Sequence, residues 1–374
     1  MHFNQANQTN QANQANETKM EKEAAESPKV VEAQLLQNGE RWLAVCDRIL
    51  KDTPPFAMTI ARGSSDHAAT FLKYILEVKL GIPTASAAPS VLTVYQKNLK
   101  LKGALVVGIS QSGQSPDIVE MMRSARNAGA ITVSLVNQVN SPLAEASEYV
   151  IPLWAGMEEA VAATKSYIGS LTAILHFLAI YESSNSRVHP VAHSNEISLS
   201  EALPKLPILM REALNLDWRD LSKFLQEATD TVVLGRGFGY PIAQESALKL
   251  KETSSIHAEA FSSAEFLHGP MALIKKAFPV LLYLQNDQTL KGSLMTAKKI
   301  MDAGGRVVVM SPKKLVELDR TLATQVFWLP ESVHPLIDSV LGIQAFYLMA
   351  ARLAVSRGFN PDAPLLLKKV TETR

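Results

Sequence analysis

Short apolar runs that end in glycine, serine or amide residues, each followed by a longer stretch of helical spacing, recur along the chain. Continuous apolar runs of this length predict strands buried on both faces, and the stretches between them predict amphipathic helices. One run, residues 56–61, ends in Arg62-Gly63, and another, residues 231–235, ends in Arg236-Gly237. The next elements correspond in the same order: residues 104–109 with 278–284, then 128–133 with 303–308, where glycine stops a helix ahead of a third strand. The shift between copies stays at about 175 residues, which marks a duplicated strand-helix-strand unit.

Strands alternating with helices imply an α/β fold of doubly wound, mainly parallel sheets with helices on both faces, one sheet per copy. In such sheets a ligand lies at the carboxyl ends of the strands, near the switch in strand order. Residues 36–184 are expected to form the first domain and 200–355 the second, joined by the polar, proline-bearing segment 185–198. Residues 1–28, rich in Asn, Gln, Ala and Thr, are expected to be a disordered tail and contain no apolar run long enough for a secretory signal.

Two apolar stretches, 168–180 and 340–355, predict core helices. The first is shorter than the ~20 residues of a membrane span, and the second contains Gln344 and Arg352. The 374 residues carry 37 basic and 36 acidic side chains, a net charge of +1, which gives no footing for nucleic acid or a membrane surface; a cytoplasmic protein is expected. The single cysteine, Cys46, has no partner within the chain and reads as a small buried hydrophobe.

Candidate chemistry begins at Ser110-Gln111-Ser112-Gly113-Gln114-Ser115, where a strand gives way to a helix. Ser110, Ser112 and Ser115 can each donate an O–H, Gly113 allows close backbone approach, and the free N–H groups of a helix start favour an anion. The glycine-lysine spacing of a nucleotide triphosphate loop is missing, so a singly phosphorylated small molecule is the expected ligand. At the matching place the second copy has Gln285-Asn286-Asp287-Gln288, without hydroxyls or glycine, so one phosphate site per chain is expected.

In the second half, Glu245, Lys249 and Glu252 are spaced i, i+4 and i+7 on a predicted helix and share a face. On a solvated helix this is an ion-pair ladder, whereas on a buried one it lines a cavity, and both readings stand at this point. His268, ahead of Gly269-Pro270, lies in a loop with Glu259 and Glu265 nearby, where an imidazole can titrate near neutral pH. His257, Glu265 and His268 lack the spacing of a metal site, and no metal is expected. Residues 158–165 combine two acids with small residues, readable as a helix start or as backbone that closes over a ligand.

Together, the Ile109 to Ser115 loop, Ala162-Ala163-Thr164-Lys165, the segment 247–252, His257-Ala258-Glu259-Ala260 and Leu267-His268-Gly269-Pro270 resemble the tandem sugar isomerase (SIS) domains of glucosamine-6-phosphate synthase. The likeness runs from about Gln37 to the C-terminus. The sequence carries no glutaminase segment or N-terminal catalytic cysteine, from which glutamine is not expected to supply ammonia. With Ala61-Arg62-Gly63-Ser64-Ser65-Asp66-His67 and residues 259–265, that departure resembles the SIS-type glucosamine-6-phosphate deaminases.

The resemblance implies two tandem SIS domains and a role for each matching residue. Ser65, Ser110, Gln111, Ser112 and Ser115 would hold the sugar phosphate, with Ser64, Val161, Ala163 and Glu245 around the sugar. Glu252 would move the proton between C1 and C2, and Lys249 would contact sugar oxygens. Lys368, on a tail of residues 356–374 that closes the site, matches the synthase lysine that binds the open-chain sugar. His268 would open the pyranose ring, reaching in from the partner subunit of a homodimer. The synthase has a serine where Ala163 stands, so one sugar contact is lost or made by the backbone.

Turning a 2-amino aldose into a ketose and ammonia needs ring opening, a 1,2-proton shift and hydrolysis of an imine. Carboxylate, lysine and imidazole groups supply these steps with no metal or redox cofactor. Glucosamine-6-phosphate deaminase is therefore the expected activity. A galactosamine 6-phosphate deaminase or a deglycase of phosphorylated fructosamines fits the same residues. A phosphosugar-sensing regulator would need a DNA-binding domain, for which the N-terminal tail is too short and polar.

Overall fold

The computed structural model describes residues 17–188, 197–313, 322–331 and 333–369. The apolar runs of the first half become β1 (Ala57–Ile60), β2 (Thr84–Ser86), β3 (Leu105–Ser110), β4 (Ile131–Val136) and β5 (Tyr149–Pro152). Those of the second become β6 (Asp230–Gly235), β7 (His257–Ser262), β8 (Pro279–Tyr283), β9 (Arg306–Pro312) and β10 (Gln325–Leu329). The strand order is β2-β1-β3-β4-β5 in one sheet and β7-β6-β8-β9-β10 in the other, and all pairs are parallel. The duplication read from the sequence is thus a repeat of wiring. In each sheet the order reverses direction after the first strand, which puts the switch point between β1 and β3, and between β6 and β8.

The longer helices are α1 (Lys19–Gln37), α2 (Gly39–Lys51), α3 (Ser64–Leu80), α4 (Pro116–Asn127), α5 (Lys165–Val188), α6 (Leu206–Leu214), α7 (Tyr240–Ser254), α8 (Leu290–Asp302) and α9 (Pro335–Ser356). The largest core, with Trp42, Phe71, Ile168, Leu250 and Tyr347, draws on α1, α2, α3, α5, α7 and α9 and on apolar residues of both sheets. A second core packs α4 onto the first sheet through Val106, Ile118 and Met122, and a third packs α8 onto the second through Val280, Ile300 and Val309. Helix α9 is long and apolar enough to cross a membrane, yet 83% of its apolar window is buried inside the protein. Its polar residues are used there: Gln344 donates to the Ala24 carbonyl at 2.9 Å and Arg352 pairs with Glu21 at 2.9 Å.

The start of the chain departs from expectation. Residues 19–28, read as part of a disordered tail, form the first turns of α1, while residues 1–16 lie outside the described residues. Thr18 and Glu21 make a reciprocal capping box that supplies partners for the first orphan N–H groups, and Met20 and Ala24 are fully buried. The repetitive polar composition upstream hides this switch. The expected link 185–198 begins inside α5, and its residues 189–196 lie outside the described residues.

Candidate active site

The first sheet's switch point opens into a cavity of about 410 Å³ that the second half closes from the other side. Strand β1 delivers Arg62, Gly63, Ser64 and Ser65 to it, and β3 delivers Ser110, Gln111, Ser112 and Ser115. The loop after β3 holds its own shape. Ser110 Oγ accepts from the Gly113 N–H at 3.0 Å and Ser112 Oγ from the Gln114 N–H at 3.3 Å, so each hydroxyl proton stays available to an acceptor. Ser115 is the N-cap of α4 but makes no capping bond with its side chain, and Pro116 follows at the first helical position. Its hydroxyl is therefore also uncommitted.

Gly113 has a φ of +63°, and a Cβ there would run into Ser141. Gly113→Ala is expected to cost about 1–3 kcal/mol of stability from the backbone conformation alone. Urea denaturation checks this, and a loss below about 0.5 kcal/mol would show that the loop has room to relax.

From the second half, α7 brings in Lys249 and Glu252. The ladder reading and the cavity reading are each partly realised, because the acids and the lysine do pair, but in the interior. Lys249, 1% exposed, lies 2.6 Å from Glu252 and 3.4 Å from Glu245. Glu245 is fully buried and does not line the cavity. Its oxygens accept from Ser64 Oγ at 3.0 Å and Tyr347 Oη at 3.0 Å, and meet His67 Nδ1 at 2.9 Å. The expected sugar contact by Glu245 is thus replaced by a supporting one: it stands behind Lys249 and Ser64. Burial alone would raise the Glu245 carboxyl, but Lys249, His67 and Tyr347 outweigh it and hold it below its ordinary value. Burial likewise works against the Lys249 ammonium, and the two carboxylates outweigh it and raise its pKa.

Residues 158–164, readable as a helix start or as backbone that closes over a ligand, form a loop, and the helix begins only at Lys165. Glu158, buried in that loop, caps α5 by accepting from the Thr164 and Ser166 N–H groups at 3.0 and 3.1 Å. Lys369 donates to Glu158 at 2.9 Å and to the Ala160 carbonyl at 2.7 Å, and so draws the tail across the cavity. The tail is fixed a second time upstream. Asp362 accepts from the Lys19 and Met20 N–H groups at the start of α1, at 2.9 and 2.8 Å, and its carbonyl accepts from the Val161 N–H at 3.0 Å. Val161, Ala163 and Lys368 all line the cavity in consequence.

Of the thirteen residues to which the resemblance gives a role, all line this cavity except Glu245 and His268. His268 is exposed, on the loop after the Glu265–Leu267 turn, outside the cavity of its own chain. Among the described residues, His257, Glu265 and His268 form no group that could hold a metal ion. Sequence reasoning passed over Arg62, Ser166, Tyr167 and Lys369, which also line the site. The Arg-Gly at the end of β1 was visible as a repeat marker, and Lys369 adjoins Lys368.

Comparison with known proteins gives the same outline. The SIS domain family matches residues 57–180 and 224–356. The glutamine–fructose-6-phosphate aminotransferase (isomerizing) of Francisella tularensis is 31% identical over 94% of this chain, which corresponds to 58% of that protein. The chain spans a little over half the length of the curated relatives it matches. A candidate phosphosugar isomerase from Silicibacter pomeroyi superposes with a TM-score of 0.83 at 36% identity, covering 92% of this chain and 100% of that one. The C-terminal domain of the Francisella tularensis aminotransferase superposes with a TM-score of 0.80 at 28% identity, over 93% and 98% of the two chains.

Proposed function

Since the chain belongs to the SIS domain family through both of its halves, we propose that it is an amino sugar phosphate deaminase, converting glucosamine 6-phosphate and water into fructose 6-phosphate and ammonia. One observation carries the reading: a cradle of uncommitted hydroxyls and a Glu252–Lys249 pair face a single cavity from opposite halves. The phosphosugar names of the relatives support the substrate class. The cradle binds the phosphate, far from the reacting carbons, and that binding positions C1 and C2 at Glu252.

With the ring open, Glu252 takes the proton from C2 and returns it to C1, while Lys249 offsets the negative charge that gathers on oxygen. Water then adds to the resulting C2 imine, and ammonia leaves to give the ketose. Lys368 and the tail cover the open-chain sugar. The purified protein should release ammonia and form fructose 6-phosphate in equal amounts from glucosamine 6-phosphate. Release only from galactosamine 6-phosphate, or only from a phosphorylated fructosamine, would move the assignment to that substrate, and release from none of them would overturn it.

His268 enters this scheme from a partner subunit in a homodimer, where it protonates the ring oxygen during opening. Mixing inactive His268→Ala and Glu252→Gln proteins should then restore roughly a quarter of wild-type activity, since half of the dimers in a random mixture carry one intact site. An unmixed level of activity after subunit exchange would rule out the shared site.

A further inference from the structure

The cradle's own donors are neutral hydroxyls and N–H groups, whereas a phosphate monoester carries about −1.5 to −2 charges at neutral pH. Among the described residues four cations line the cavity: Arg62, Lys249, Lys368 and Lys369. Lys249 is committed to Glu245 and Glu252, and Lys369 to Glu158. Lys368 lies on the tail that covers the sugar. Arg62 differs from all three in its place. The β1–β3 register sets Ile60 beside Gly108, and two further residues bring Arg62 level with Ser110, the first residue of the cradle.

The guanidinium is held for use at that place. Nε and Nη2 both donate to Asp117 Oδ2, at 3.1 and 2.8 Å, and Asp117 is itself fixed in the first turn of α4. Among the described residues Nη1 has no hydrogen-bond partner, and the side chain is 52% exposed. In the second half Arg236 occupies the matching position with its Nη1 against Gly292 of α8, and no hydroxyl loop stands beside it. An arginine at the strand end is therefore common to both halves, and only the first sets it beside an anion cradle.

We infer that Arg62 is a further phosphate ligand of this site, presenting Nη1 to the anion while Asp117 fixes the fork. The assignment rests on the reading of the cavity as a phosphosugar site, but not on the reaction carried out there. Binding of fructose 6-phosphate by titration calorimetry, with inorganic phosphate as competitor, tests it in the full chain. Arg62→Met should weaken both ligands by about 10- to 100-fold, the range for a hydrogen bond to a charged group. Arg62→Lys, which keeps the charge but not the fork, should fall between the wild type and Arg62→Met.

In turnover the loss should appear mainly in KM. A change of less than twofold in both ligands would overturn the assignment, as would a loss for fructose 6-phosphate that spares inorganic phosphate, the pattern of a disturbed sugar end. Should Arg62→Met fail to fold, Arg62→Gln carries the same comparison. If the wild type binds fructose 6-phosphate, loses it on Arg62→Met and yet releases no ammonia from any amino sugar phosphate, the phosphate ligand stands and the deaminase reading falls.

Discussion

Glu252→Gln is expected to lower turnover of glucosamine 6-phosphate by about 10²- to 10⁴-fold, the range assigned to a positioned acid-base group. Its affinity for fructose 6-phosphate should stay within about threefold, because Gln keeps the size of the side chain and can still accept from Lys249. The geometry separates the two effects. Glu252 lines the cavity and keeps 21% of its side chain exposed, held at 2.6 Å by Lys249, whereas the cradle residues all come from the other half of the chain. Single-turnover kinetics paired with calorimetry would measure both quantities, and turnover within tenfold of wild type would remove Glu252 from the proton transfer.

Lys249→Met should affect stability as much as activity. Lys249 is the cation between Glu245, which is fully buried, and Glu252. Removing one member of a buried ion pair costs about 3–5 kcal/mol, because the remaining charge is left in a medium that solvates it poorly. Ser64, His67 and Tyr347 still contact Glu245, which places the expected loss at the low end of that range, near ~3 kcal/mol.

The sign of its pH dependence can be worked out. In the wild type the Glu245 pKa is held below its ordinary value of 4.5, so its contribution is complete above that value and fades as the pH falls through the folded-state pKa. Without Lys249 the largest charge holding the carboxyl down is gone and the folded pKa moves up from its wild-type position, so the variant has less of this contribution to lose as the pH falls. The gap between the two proteins in urea should therefore narrow on acidification. A gap that widens would show that Lys249 is not the counter-charge of Glu245.

Periodicity carried the fold far because the signals were local. Strands buried on both faces read as unbroken apolar runs, and glycines at positive φ, Gly129 and Gly304, stop the helices ahead of β4 and β9 at matching places. The cradle was legible for the same reason, since one short loop holds all of its parts. What was missed depends on contacts between distant segments. Glu245 shares a helix face with Glu252, but its distance from the cavity is decided by Ser64, His67 and Tyr347, from two other helices. The helical start of α1 was hidden because its partners, Asp362 and Arg352, lie more than 300 residues away. Arg62 was read as a mark of duplication and as part of a family motif but given no role, as its pairing with Asp117 crosses from one strand end to a helix 55 positions on.

Asp362 ties the tail to the start of α1, 343 positions from the Lys19 N–H it accepts. Seen from the ribosome, this is a safeguard in time. The cradle can form once the first sheet has emerged, Glu252 follows with the second, and Lys368 and Lys369 come later still. A growing chain can therefore present the cradle before it can cover it, because the covering segment is made after both sheets.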